Sequence, residues 1–181
     1  MAFQKKYHIR VGKEKARYWL VKAAESNPKA MVSLALKYCV DDKFDEALAL
    51  CIKAGDMSCG QTKVEADCLT AQIYGDMSFA GYDPEKQKAY LLKALNVKPV
   101  PMDNGFDDEY AQAASLLRAW FQLKNTNSPS ESNVKNAAYC AVIAAVLDRD
   151  YADRLSEFAI RQSQFDAWAV DARNYNFHLP C

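Results

Sequence analysis

Three segments of this chain share one spacing of apolar and basic residues, and that repetition limits the folds open to it. Ala16, Trp19, Leu20, Lys22 and Ala23 set the pattern. Ala47, Leu50, Cys51, Lys53 and Ala54 reproduce its offsets; Gln87, Tyr90, Leu91, Lys93 and Ala94 do so apart from the first residue. A second pattern alternates with the first. Ala30, Leu34, Ala35 and Tyr38 have the same offsets as Ala66, Thr70, Ala71 and Tyr74. Spacings of three and four residues place each set on one stripe of a helix. Two helical patterns alternating at roughly 30–40 residues predict a row of helix pairs, in which each pair buries its apolar face only against its neighbours.

These segments resemble Sel-1-like repeats, a relative of the tetratricopeptide repeat. The family's first helix carries A-x-x-x-L-A-x-x-Y and its second A-x-x-W/Y-x-x-K-A, with a glycine-containing loop between. Ala30 to Tyr38 fits the first helix and Ala47 to Ala54 the second. The next unit runs from Ala66 to Tyr74, through Gly81-Tyr82-Asp83, to Lys93-Ala94. The resemblance covers about residues 13–96. The chain departs from it in two places: Val40-Asp41-Asp42-Lys43 lacks the family glycines, and Thr70 stands where Leu is expected. After residue 96 the pattern fades, although Ala137, Cys140, Ala141, Ile143 and Ala144 fit a second-helix stripe without its lysine. The resemblance implies an all-α fold, a right-handed α-solenoid of antiparallel helix pairs with a less regular C-terminal helical half. A single helical-repeat domain over 1–181, with repeats over 13–96 and an irregular helical half over 97–181, is expected, because each half alone would be small and helical repeats gain stability from their neighbours.

The helices are expected at about 13–25, 28–40, 43–54, 60–76, 84–96, 107–124, from Ser128 to Leu147, and as one or two more within 150–173. Asn27-Pro28 and Asp83-Pro84 read as an N-cap followed by proline at the first helical position. Asp107, Asp108 and Glu109 place carboxylates at the positive end of a helix. Ser128-Pro129-Ser130-Glu131 has capping-box spacing, and Gly55 reads as a helix stop. Residues 1–12 read as an extended arm, and 98–105, with two prolines and a glycine, as a loop. The aromatic run from Asn174 to Cys181 reads as a non-helical cap over the last helices. No strand pattern occurs.

Lysine plus arginine equals aspartate plus glutamate at 23, a formal net charge of zero. That balance argues against non-specific binding to nucleic acid or to an anionic membrane. The N-terminal residues hold no continuous apolar segment of signal-peptide type, so a cytoplasmic setting is expected, with the six cysteines as thiols. Cys39, Cys51, Cys68 and Cys140 fall among apolar neighbours and read as packing residues. Some Sel-1-like proteins carry disulfides at the Cys51–Cys59 spacing, but Cys51 sits four residues earlier relative to the Lys-Ala pair.

Chemistry-bearing motifs are sparse. The two histidines, His8 and His178, lie near opposite ends, outside any metal-ligand spacing. A Cys39–His8 nucleophile pair is far less expected than packing, and Asp41-Asp42 and Asp107-Asp108 read as helix caps rather than acid–base groups. No catalytic residue, metal site or cofactor is expected. The expected function is a non-enzymatic protein–protein interaction module, an adaptor or a cytosolic immunity protein that neutralises a bacterial toxin. An enzyme or nucleic-acid binder built on the C-terminal half is the alternative.

Candidate contact residues lie opposite the repeat's core stripes. They are Leu36 on the second helix, and Glu65, Gln72 and Asp76 on the fourth, whose opposite face also includes Cys68. Arg118 and Trp120 are added because arginine and tryptophan are favoured in binding hot spots.

Overall fold

Two α-helices, Pro28–Val40 and Pro84–Leu95, begin where a polar side chain satisfies their free N–H groups. The computed structural model describes residues 14–98 and 107–180. Residues 14–23 are helical (α1). Next, α2 spans Pro28–Val40; the Asn27 carbonyl oxygen accepts from the backbone N–H of Lys29 at 3.0 Å and of Ala30 at 3.3 Å. Then come α3 over Phe44–Met57 and α4 over Gly60–Tyr74. Asp83 caps α5 (Pro84–Leu95) by accepting from Glu85 and Lys86 N–H at 3.1 and 3.0 Å. Proline at the first helical position of α2 and α5 loses nothing, because its missing N–H has no helical acceptor. The rest of the described chain is α6 (Asp107–Asn127), α7 (Glu131–Leu147), a 3₁₀ helix (Arg149–Glu157) and α8 (Gln162–Arg173). The described residues are thus all-α and contain no strand.

Several expected boundaries move, each for a local reason. Gly55 does not stop α3; it is buried inside it, where a Cβ would stand 3.3 Å from Oδ1 of Asp67. Its role is to let α4 come close. The seventh helix starts at Glu131 rather than Ser128. Ser130 makes no side-chain cap, and its own N–H is bound by Oδ1 of Asn125 at 2.8 Å, which lets α6 run on to Asn127. The turn after α2 manages without glycine because Asp42 takes the left-handed conformation, φ 56°. Aspartate tolerates that region. Lys43 N–H then reaches Tyr38 O at 2.8 Å and Asp42 N–H reaches Cys39 O at 3.2 Å. These two bonds form a Schellman closure, which satisfies the last carbonyls of α2. The expected arm 1–12, most of the expected loop 98–105, His8 and Cys181 lie outside the described residues.

From α2 to α7 each helix packs on the next, and α4 also touches both α2 and α6. Buried alanines permit these approaches: Ala35, Ala47, Ala54, Ala66, Ala71, Ala94, Ala113 and Ala114 are all fully enclosed. Side chains from α4 enter two cores. Ala66, Leu69 and Ile73 join Met31, Leu34 and Cys51 on the α2–α3 side. Val64, Cys68 and Ala71 join Leu91, Tyr110, Leu117 and Ile143 in a core that reaches α8. Thr70, where Leu is expected, is buried with its hydroxyl satisfied by Ala66 O at 2.8 Å.

Helix α1 repeats the spacing of α3 but not its burial. Cys51 and Ala54 of α3 are buried, whereas their counterparts in α1 are half-buried Leu20 and exposed Ala23, and Trp19 is 67% exposed where Leu50 of α3 is half-buried. The C-terminal run packs back as expected, over α6 and α7, and reaches as far as α5: Tyr175 and Phe177 lie against Tyr110 of α6 with ring centres 5.2 and 5.4 Å away, and Phe177 and Leu179 border Leu92 and Leu95. Tyr139 ties the run down: its hydroxyl accepts from His178 N–H at 2.9 Å and donates to Asp171 at 3.3 Å.

Candidate protein-binding groove

The face opposite the core stripes of α2 and α4 forms a continuous groove. One stretch, of about 390 Å³, is lined by Lys29, Val32 and Leu36 from α2, by Glu65, Leu69 and Gln72 from α4, and by Gln112 from α6. The adjoining stretch, of about 340 Å³, shares Leu36, Leu69 and Gln72 and continues to Val40, Asp42, Ile73 and Asp76. The pairing follows the repeat. Lys29 and Glu65, Leu36 and Gln72, and Val40 and Asp76 occupy equivalent positions in successive units. Both helices run in the same sense, so their N-terminal ends meet at Lys29 and Glu65 and their C-terminal ends at Asp42 and Asp76.

Leu36 lies at the centre, 51% exposed, and also borders a third hollow of about 510 Å³ with Leu20, Lys37 and Val40. Val40 and Leu36 are thus adjacent exposed apolar side chains on one helix. Val32, one turn before Leu36, also lines the groove but is itself buried. Cys68, expected on the polar face of α4, is buried on the α6 side, where its thiol donates to Glu109 O at 3.8 Å.

The two ends of the groove differ in charge behaviour. Burial pushes the Glu65 carboxyl above its usual range; Lys29 pulls it back, and Glu109 raises it again by its charge and by a hydrogen bond. Glu109 meanwhile accepts from Gln61 Nε2 at 2.6 Å. At the other end Asp76 is held below the usual carboxylate range, because Ser78 donates to it from its hydroxyl at 2.7 Å and its backbone N–H at 2.8 Å. A group stabilised in its ionised form keeps its charge.

Leu36, Glu65, Gln72 and Asp76 therefore come together on one surface, while Arg118 and Trp120 do not join them. Arg118 is buried between Gln122, 2.6 Å away, and Glu157 of the 3₁₀ helix, 3.1 Å away. It fastens that helix to α6. The Trp120 indole donates to Pro84 O at 2.7 Å, and Lys88 Nζ lies 4.6 Å from its ring centre. A tryptophan so bound holds α6 to the start of α5 and leaves little of its surface for a partner. Sequence reasoning missed Val40 and Asp42 as groove residues; Val40 reads there as the end of α2 and Asp42 as a helix cap. Their signal was the loop's missing glycine, which forces a non-glycine residue into the left-handed turn.

Five of the cysteines, Cys39, Cys51, Cys59, Cys68 and Cys140, are free thiols, and Cys59 is exposed. Burial pushes the Cys51 and Cys68 thiols up to about 12. Such thiols are poor nucleophiles and poor metal ligands at neutral pH. Among the described residues no group of three His, Cys, Asp or Glu side chains could hold a metal ion, and no helix is long and apolar enough to cross a membrane. Comparison with family models, curated proteins and solved structures finds no match to this chain.

Proposed function

We propose that this chain is a non-catalytic protein-binding module, a Sel-1-like right-handed α-solenoid, whose α2–α4 groove receives a segment of a partner protein. One observation carries the reading: equivalent positions of two successive repeat helices line one open groove with an exposed leucine at its centre. Leu36 is already half-buried, so covering the rest of it gains roughly 0.8–1.5 kcal/mol, half the value for a fully exposed leucine. Cys51 and Cys68 are buried, and Arg118 and Trp120 are held by other parts of the chain, so none of these competes with the groove as a contact surface. Within this class the chain acts as an adaptor or as a cytosolic immunity protein that neutralises a toxin or effector.

The test is affinity capture of partners from the host with wild type, Gln72→Lys and Leu36→Asp. Both positions are accessible, so folding should be spared by either change, and circular dichroism checks that. Loss of the same captured protein from both variants is the expected result. Unaltered capture by both would move the contact off this groove.

A further inference from the structure

The groove is not electrically uniform, and its asymmetry selects among partners. At its far end α2 finishes at Val40 and α4 at Tyr74, side by side. Each helix C-terminus carries about half a negative charge. Asp42 and Asp76 line that same end. Ser78 binds only Oδ1 of Asp76. The cations nearby point elsewhere: Lys43 lies over the Tyr38 ring at 5.9 Å, and Lys37 lines the hollow beside Arg17 and Asp41, which are paired at 3.5 Å. Lys29, the lysine lining the groove, sits at the opposite end beside Glu65. Between the ends Leu36, Leu69 and Ile73 form an apolar floor.

We propose that the groove takes a peptide segment in which an apolar side chain seats on Leu36 and Leu69 while a lysine or arginine beside it reaches Asp42 and Asp76. This rests on the groove being the binding surface, and it adds the chemistry of the occupant. The apolar contact supplies affinity; the basic residue fixes orientation along the groove. An acidic segment is rejected, because its charge would meet two carboxylates and two helix C-termini.

The experiment pans a displayed library of short random peptides against the full chain. Binders that the Gln72→Lys chain also retains are removed, so the remainder depend on the groove. These peptides should pair a large apolar residue with lysine or arginine. The double variant Asp42→Asn, Asp76→Asn should bind them about tenfold more weakly at low salt, since each exposed charge contributes a few-fold. Raising the salt should erase that difference. Asparagine accepts the left-handed conformation at position 42, and circular dichroism confirms that the double variant folds. Groove-dependent peptides without basic residues, or unchanged affinity in the double variant, would overturn the basic-partner inference while leaving the groove as the site. Failure to obtain any groove-dependent peptide would overturn both.

Discussion

Lys93 of α5 reaches back to α4 and places its ammonium 3.1 Å from Oδ1 of Asp67, a carboxylate only 3% exposed. Lys63 lies 3.6 Å from the other oxygen and also donates to Gly55 O at 2.9 Å. The lysine of the repeated Lys-Ala pair is therefore the counter-ion of a buried acid one helix back. In the preceding unit Met31 occupies the position of Asp67, and the matching Lys53 is exposed.

Lys93→Met should destabilise the protein by about 1–3 kcal/mol. Removing one member of a buried pair costs about 3–5 kcal/mol, and the half-exposed lysine and the remaining Lys63 reduce that. Lys53→Met should stay within about 0.5 kcal/mol. Burial opposes the charge on Lys93, but Asp67 outweighs it and raises the net value above 10.5. Stability from this pair is thus present below that value and lost as pH rises through the folded one. Urea titrations should show the Lys93→Met deficit shrinking in alkali.

Ala35→Trp, Ala71→Trp and Ala54→Trp should each lower stability by about 1–3 kcal/mol or more, because the sites are fully enclosed and overpacking displaces helices. Ala23→Trp, at the position equivalent to Ala54 but exposed, should be nearly neutral. Thermal midpoints compare the four; equal loss at Ala23 and Ala54 would contradict the open face of α1.

Glu65→Gln should stabilise the protein near neutral pH. The folded carboxyl titrates above its ordinary 4.5, so the folded state holds its proton more tightly than the unfolded one. By linkage, the cost of ionising it appears as pH rises from about 4.5 through the folded value. Glutamine carries no such cost. Denaturation at several pH values should show the variant's advantage above this window and none below it.

Thiol alkylation of the native protein should modify Cys59 first. Cys51, Cys68 and Cys140 should react only on unfolding, because they are buried and burial holds their thiols protonated. Mass spectrometry of timed alkylation reads the order; early labelling of Cys68 would show that the α4–α6 contact opens readily.

The start of α2 was legible because Asn27-Pro28 carries its own instructions, and Asp83-Pro84 did the same for α5. Local signals failed where distant residues competed. Gly55 looks like a stop, yet what matters there is the approach of Asp67 from another helix. Ser128 looks like a cap, yet α6 runs on to Asn127 and α7 starts only at Glu131. Arg118 and Trp120 look like contact residues, and their partners, Glu157 and Pro84, lie far along the chain.

By itself the sequence determined the helical repeat, its stripes of small residues and the two faces of α2 and α4, because helical periodicity and N-caps act within a few residues. Only the tertiary structure decided which opposite faces meet and which stay open. Leu36, Glu65, Gln72 and Asp76 share a groove because α2 and α4 pack in the same sense against α3 and each other, and Cys68 lies buried at the groove wall because α6 covers it. The physical reason is that burial belongs to neighbours brought together by folding, and a residue's own periodicity cannot say which neighbour will arrive.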